Sequence, residues 1–515
     1  MNRRPFLTLA PLVCATAFLA CMPTATAKDT SGLGAKPNIL FILIDDMGWK
    51  DLAVSGSTYY QTPHIDGLAA EGVRFVNGYS AAPVCSPSRG AIYTGKFPAR
   101  TKFTTVYAAA AGPDDRLFDT SKYRGERDEM FEARHRHALP KDEFLFSQAL
   151  AEGGYRTGFF GKWHVGECKN YYPDDRGFDV AKAYRHTKTA TSKSGHWMKT
   201  FYKFGANLEG ADRDAYVSDV LTEQCIDFIK ANKDNPWVAM LSHYLVHSPI
   251  QPEPDKLARY KKKPKTDQNN PGYASMVESV DDSVGQVLKT LKELDLEKNT
   301  LVIFTSDNGG LAPKYTSNYP LMGGKSSPFE AGMKVPFIVK WPGKIKPGVS
   351  EQRVVGTDIY PTMLSAAGLP LRPKQHADGL DLMPLLTKQA PLKSRPLIVH
   401  FPHYTHATGP FSSIISKDWK LIRFYNDDEG AYLLYNLAKD PNEQTDLVAT
   451  HPEKVEELAA QLDRSLKEMK AEMPTKNPDY PTKGKARRKN LEFTKRLAEK
   501  ERRIFESRLE ESAPE

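Results

Sequence analysis

Cysteine is scarce in this chain, five among 515 residues. So sparse a set excludes a disulfide-stapled scaffold. Long apolar runs are missing after residue 27, and the mean hydropathy is −0.51. Together these exclude a polytopic membrane protein. An excess of one charge is also missing: 71 basic residues stand against 63 acidic ones, a net of +8. Of that net, +4 lies in residues 476–515 and +2 in Arg3 and Arg4, which leaves +2 for the rest. Such a bias is too weak to argue for nucleic acid. Lys483, Lys485, Arg487, Arg488 and Lys489 read as a solvated end, with contact to an acidic polymer as the alternative. Internal repeats are absent. What is present, 40% hydrophobic and 26% charged residues, is ordinary globular material and neither a disordered chain nor a collagen. The length accommodates one large domain with a smaller one.

Residues 1–27 read as a signal peptide. Arg3 and Arg4 precede a mostly apolar stretch over 6–20, and Ala25-Thr26-Ala27 is a small-residue cleavage site. The expected product is periplasmic or secreted, with no stable membrane span. Phe18-Leu19-Ala20-Cys21 loosely resembles a lipidation box, so lipoprotein anchoring at Cys21 is the alternative. Cleavage would remove Cys14 and Cys21 and leave Cys85, Cys168 and Cys225. Cys168 and Cys225 fit either a bridge or two buried thiols.

After a polar linker at 28–36, residues 38–44 are almost continuously apolar and end in Asp45-Asp46. This is the pattern of a strand buried on both faces. It recurs at 237–241 and at 301–305, the latter followed by Ser306-Asp307-Asn308-Gly309. Between them, Val277, Val280, Val284, Val287 and Leu291 share one face of a helix expected over 276–294. Residues 146–152 read as a helix stopped by Gly153-Gly154. The alternation predicts an α/β domain over 37–384 around a central sheet. Sites in such sheets form at the carboxyl ends of strands. Asp45, Asp46, Asp307 and Asn308 stand at such ends, and His247 lies a few residues past another.

The composition shifts near Pro384. Residues 419–425 and 432–437 read as antiparallel strands around a polar turn at 426–430, with a helix following over 452–469. This predicts a small C-terminal α+β subdomain over 385–474, then a charged tail at 475–515 in which residues 490–511 could form a solvated helix. Residues 101–140 and 182–213 lack periodicity and carry many His, Arg, Tyr and Lys residues. Pocket-shaping loops and ordinary surface insertions both fit them.

Asp45, Asp46, Asp307 and Asn308 offer only oxygen ligands, a set suited to Ca²⁺ or Mg²⁺ rather than zinc. Three carboxylates that converge without a cation would repel one another. Taken alone, Asp45 and Asp46 would pass for caps at a strand or helix end.

The sharpest motif is Cys85-Ser86-Pro87-Ser88-Arg89, continued by Gly90-Ala91-Ile92-Tyr93-Thr94-Gly95. It resembles the signature of the type I sulfatases, whose cysteine is oxidised to formylglycine during export. Tyr93 departs from that pattern, where an aliphatic residue is more common. Further blocks follow the family's order: residues 38–48 ending in Asp45-Asp46-Met47-Gly48, Thr62-Pro63-His64-Ile65-Asp66, Gly161-Lys162-Trp163-His164-Val165-Gly166, Val246-His247-Ser248-Pro249, Thr305-Ser306-Asp307-Asn308-Gly309 and Gly323-Gly324-Lys325. The resemblance spans about 38–447. It identifies the chain as a sulfatase-like member of the alkaline phosphatase superfamily.

That resemblance implies a large alkaline-phosphatase-like α/β domain, with a central mixed sheet flanked by helices and a small antiparallel C-terminal subdomain. It implies a metal site of Asp45, Asp46, Asp307, Asn308 and modified Cys85, holding Ca²⁺ or Mg²⁺. One hydroxyl of the hydrated formylglycine at 85 would attack sulfur; deprotonation of the other would expel sulfate. Arg89 would steady those hydroxyls, and Lys162 and Lys325 would hold sulfate oxygens. His164 would take the proton, while His247 or Lys325 would serve the leaving alcohol. His400 and His403, within His400-Phe401-Pro402-His403-Tyr404, are further candidates for substrate contact. The implied partners are a sulfated carbohydrate and a formylglycine-generating maturation enzyme. Phosphate or phosphonate ester hydrolysis and noncatalytic sulfoglycan binding are the competing readings.

Overall fold

The computed structural model describes residues 36–106, 115–119, 129–166, 169–183, 215–405, 408–426, 432–478 and 480, with scattered positions between 496 and 507. The expected leader, the alternative anchor at Cys21, Cys168, and most of the 28–36 linker, of the 182–213 segment, of the 426–430 turn and of the charged tail lie outside the described residues. Cys225 is a buried free thiol.

Eight strands form the main sheet: β1 (Asn38–Ile44), β2 (Val73–Phe75), β3 (Arg156–Gly161), β4 (Val180–Ala183), β5 (Trp237–Ser242), β6 (Thr300–Ser306), β7 (Phe337–Lys340) and β8 (Gly348–Ser350). Their spatial order is β8-β2-β7-β6-β1-β5-β3-β4. The run from β6 to β4 is parallel, while β7 is antiparallel to both β6 and β2. The sheet is therefore mixed, with β1 near its centre.

The apolar runs have a direct cause. Along β1, Leu40, Ile42 and Ile44 enter one core while Ile39, Phe41 and Leu43 enter the other. A strand covered on both faces needs apolar side chains at both parities. On the Leu40 side lie α1 (Pro63–Glu71), α4 (Val217–Ala231) and α5 (Pro271–Glu293). On the Phe41 side lie α2 (Cys85–Thr94), α3 (Phe146–Glu152) and α6 (Ile359–Ala366). The numbering follows the chain.

Helix α5 begins five residues before the expected start at residue 276. Pro271 opens it, and the Asn270 side chain accepts the Tyr273 N–H as its cap. Between Pro271 and Val277 only Tyr273, Ala274 and Met276 are apolar, too few to show a period, so the start is hidden in the sequence.

A second sheet of β9 (Leu397–Phe401), β10 (Phe411–Ser416), β11 (Trp419–Phe424) and β12 (Tyr432–Asn436) is antiparallel throughout. Two strands were expected here, and four are present. Helix α7 (Pro452–Glu468) buries Leu458, Leu462 and Leu466 against them. Tyr79, Ala81, Val84 and Ala91 join the same core. The segment that leads into α2 is thus clamped between the two sheets.

Candidate active site

The parallel register of β1 and β6 creates the site. Ile44 pairs with Ser306, so Asp45-Asp46 and Asp307-Asn308 leave the sheet side by side. The Asp307 N–H donates to the Ile44 carbonyl (3.1 Å), and the Asp46 N–H donates to Asp307 Oδ1 (3.2 Å). Asp46 holds a left-handed backbone, φ 64°, that turns its carboxylate toward Asn308. Asn308 Nδ2 donates to Asp46 Oδ1 at 2.7 Å.

On the other side of β1, β3 and β5 end together, Gly161 opposite Ser242. Gly161 sits at φ 118°, and a Cβ there would lie 1.8 Å from the Ser242 carbonyl oxygen. Only glycine permits this approach. It lets the Lys162 N–H donate to that oxygen at 2.8 Å and presents the Lys162 side chain to Asp45.

Cys85 is the first residue of α2, whose ten residues are all buried. The positive end of the helix therefore faces the carboxylates, a favourable place for an anion. One turn on, Arg89 is fully buried. Its Nε donates to Asp307 Oδ2 (2.7 Å), and its Nη1 donates to the Lys162 carbonyl and to Ser242 Oγ, each at 2.7 Å. Tyr93, the departure from the family pattern, packs its ring on Trp163 at 4.5 Å. The larger ring is thus accommodated beside the Lys162–His164 segment.

Three further cationic or titratable groups close the centre. Lys162 Nζ donates to Asp45 Oδ2 (2.6 Å). Lys325 Nζ lies 2.7 and 2.9 Å from the two Asp46 oxygens and 3.2 Å from Cys85 Sγ. His247 Nε2 is 3.5 Å from Asp46 Oδ2.

The electrostatics follow from burial and pairing. Burial alone would raise Asp45 and Asp46, but Lys162 beside Asp45 and Lys325 beside Asp46 hold them below the ordinary carboxylate range. Lys325 and Arg89 are raised despite burial, Lys325 chiefly by Asp46 and Arg89 by Asp307. Burial pushes the Cys85 thiol up to about 12, against the pull of Lys162 and Lys325. Such a thiol is not a thiolate near neutrality and is a poor nucleophile as it stands. His164 is driven well below its ordinary value by burial, then by Lys162 and Arg89, and is neutral. His247 is lowered by burial and then by Lys325.

The donor set fits a hard cation. Asp45 Oδ1 and Asn308 Oδ1 are buried and accept no hydrogen bond. Buried acceptors are normally satisfied. Cys85 shares two tight groups with them and their neighbours, one with Asp45 and Asp307, the other with Asp46 and His247, with ligand atoms inside 4.8 Å. Converging oxygens with two lone-pair sites left open are what Ca²⁺ or Mg²⁺ would take.

The structure thus brings together Asp45, Asp46, Cys85, Arg89, Lys162, His247, Asp307, Asn308 and Lys325, with His164 in the same field of charge. His400 and His403 differ from expectation. Both rings are buried, and all four ring nitrogens are engaged: His400 with Ser412 Oγ and the Glu472 carbonyl, His403 with Thr104 Oγ1 and Glu132. Neither has a ring nitrogen left for a substrate, and both serve packing instead.

Two contributors escape a reading of motifs. Ser242, the last residue of β5, accepts from Arg89; its place at a strand end was the available signal. Asp51 accepts from the Gly48 N–H, Tyr273 Oη and Thr316 Oγ1, at 2.6–2.7 Å. It ties the turn after β1 to α5 and to the segment between Asn308 and Lys325. Nothing in its sequence neighbourhood distinguishes it.

Comparison with known proteins agrees with this geometry. A family model described as Sulfatase matches residues 37–369, and one described as N-sulphoglucosamine sulphohydrolase, C-terminal, matches 324–472. Human N-acetylgalactosamine-6-sulfatase is 33% identical over 389 residues, covering 72% of this chain and 69% of its own. The N-acetylgalactosamine-6-O-sulfatase of Bacteroides thetaiotaomicron is 26% identical over 534 residues, covering 88% and 98%. The crystal structure of Ps i-CgsB in complex with k-i-k-neocarrahexaose has a TM-score of 0.68 at 25% identity, covering 92% of this chain and 99% of that one. With the family model spanning well over half its length, this chain belongs to the sulfatase family of sulfuric ester hydrolases, in the alkaline phosphatase superfamily.

Proposed function

We propose that the protein is exported, to the periplasm or beyond, and removes O-sulfate groups from a sulfated carbohydrate. The observation that carries this reading is the closed group of Cys85, Arg89, Lys162 and Lys325 around Asp45, Asp46, Asp307 and Asn308. Similarity to sulfatases named for aminosugar substrates, and to a structure with a bound neocarrahexaose, supports the carbohydrate part.

Cys85 would be converted to formylglycine by a separate oxidising maturation enzyme. The hydrate supplies two hydroxyls, one to take the sulfuryl group and one whose deprotonation releases it. A hard cation held by Asp45, Asp46, Asp307 and Asn308 would polarise sulfate oxygens. The remaining work falls to residues of this chain. Arg89, fixed by three acceptors, holds its charge beside position 85. Lys162 and Lys325 offer ammonium donors to a sulfate that keeps its negative charge throughout. His164, buried and neutral, accepts the proton of the releasing hydroxyl. His247, or Lys325, donates to the departing alcohol oxygen.

The test compares release of inorganic sulfate from sulfated oligosaccharides with release of phosphate from matched phosphate monoesters. Faster sulfate release is expected. Preference for phosphate, or binding of sulfated sugar with no release by matured protein, would overturn the reading.

A further inference from the structure

A cavity of about 540 Å³ opens beside Tyr79, away from every residue assigned to the centre. Its volume lies in the range of small-ligand sites and exceeds what a lone oxyanion needs. Lys334 Nζ and the Arg353 guanidinium flank the Tyr79 ring, 5.9 and 5.8 Å from its centroid. Tyr79 itself is locked below them, its hydroxyl donating to Glu330 at 2.6 Å.

The charges in this cavity are not matched. Arg395 in its wall pairs with Asp358 at 2.6 Å, and Lys420, behind the wall, pairs with Glu330 at 3.0 Å. Lys334 has no carboxylate within 4 Å among the described residues, although it is half-buried. The Arg353 Nε is buried and donates no hydrogen bond; its Nη1 donates to the Lys417 carbonyl at 3.1 Å. Lys393 and Lys417 stand exposed on the rim, opposed by exposed Glu351 and Asp418. Placing two cations together and partly out of water is unfavourable. Burial lowers the Lys334 ammonium; the Glu330 carboxylate opposes this, while Arg353 and Lys420 add to it. An oxyanion relieves this repulsion and supplies acceptors for Arg353 Nε and Lys334 Nζ.

The cavity lies at the same end of the sheet as the centre. Phe337 pairs with Thr305, two residues before Asp307, so Lys334 leaves the sheet at the end that bears the centre. Tyr79 lies six residues before Cys85 on the segment clamped between the two sheets.

We propose that this cavity is a second anion subsite, binding a sulfated sugar unit of the substrate apart from the ester being cleaved. The inference rests on the sulfated-carbohydrate reading. It predicts that the enzyme distinguishes polymeric from small substrates through residues remote from the chemistry.

Two double variants test it in the full, matured chain: Lys334→Ala with Arg353→Ala, and Lys393→Glu with Lys417→Glu. The second pair is exposed, so its folding is not at issue. Each is expected to raise KM for a sulfated polysaccharide about tenfold, leaving kcat, and all constants for a small aryl sulfate, unchanged. Unchanged KM for the polymer in both pairs overturns the subsite. If the wild type turns over no sulfated carbohydrate, the functional reading fails instead. Calorimetric binding of sulfated polysaccharide to Cys85→Ala protein then decides the subsite alone: weaker binding in the cavity variants supports it, and equal binding overturns it. Inorganic sulfate is titrated in parallel. Saturation by sulfate alone, with no gain from the attached sugar, would assign the cavity to free anion and overturn the sugar-unit proposal.

Discussion

Buried ionisable side chains do most to define this protein residue by residue. Arg89 and Asp307 form a fully buried pair; removing one partner of such a pair typically costs about 3–5 kcal/mol. Arg89 was legible because its motif carries type and spacing together. For His400 and His403 a sequence shows a histidine but not that its nitrogens are already bonded within the fold. His243, fully buried with Nε2 3.0 Å from Ser283 Oγ, makes this measurable. Burial lowers it to about 4, so the folded state refuses a proton that the unfolded chain accepts near pH 6.5. Its contribution is complete above that value and is lost as pH falls toward 4. The stability difference between wild type and His243→Gln is therefore expected to shrink by about 1.4 kcal/mol for each pH unit between about 6.5 and 4. Denaturant unfolding at several pH values checks this; a constant difference would refute it.

Among elements, the long buried strands were legible and the short ones were not. β1, β5 and β6 must be apolar at both parities, which no solvent-facing segment needs. β2 and β8 have three residues each, too few to show any period. β9 and β10 pair locally, β10 meeting β11 across Lys417-Asp418, but both are buried along nearly their whole length and are interrupted by His400 and by three serines, so neither alternation nor an unbroken apolar run marks them. The Asp51 junction belongs to this scale, since it joins the turn after β1, α5 and the segment reaching Lys325. Asp51→Ala is expected to lower metal affinity or kcat by about 10–100-fold, with Asp51→Asn recovering part of it through the remaining acceptor. Metal titration and kcat on one preparation would show this. Loss of stability with both constants unchanged would limit Asp51 to a structural role.

For the molecule as a whole, the sheet delivers four oxygen-bearing side chains from the ends of two adjacent strands, and the core of the small sheet packs the segment that leads to Cys85. The family, the mixed sheet and the central charges were readable from ordered motifs. The cavity beside Tyr79 was not, because its residues come from distant segments with no shared pattern. A bound cation stabilises only the folded state. Chelation is therefore expected to lower the melting temperature and stop turnover, with Ca²⁺ or Mg²⁺ restoring both. In Asn308→Ala protein the cation-dependent rise in melting temperature should be smaller. A melting temperature indifferent to chelator and cation would contradict an oxygen-ligated centre.

The central claim is that position 85 becomes an aldehyde whose hydrate carries the sulfuryl group. Mass spectrometry of the peptide spanning residue 85, from protein made in its native host, addresses it directly. A species lighter than the cysteine peptide that reacts with a hydrazide probe is the result this account requires. Unmodified cysteine in every copy of a preparation that still releases sulfate would contradict it.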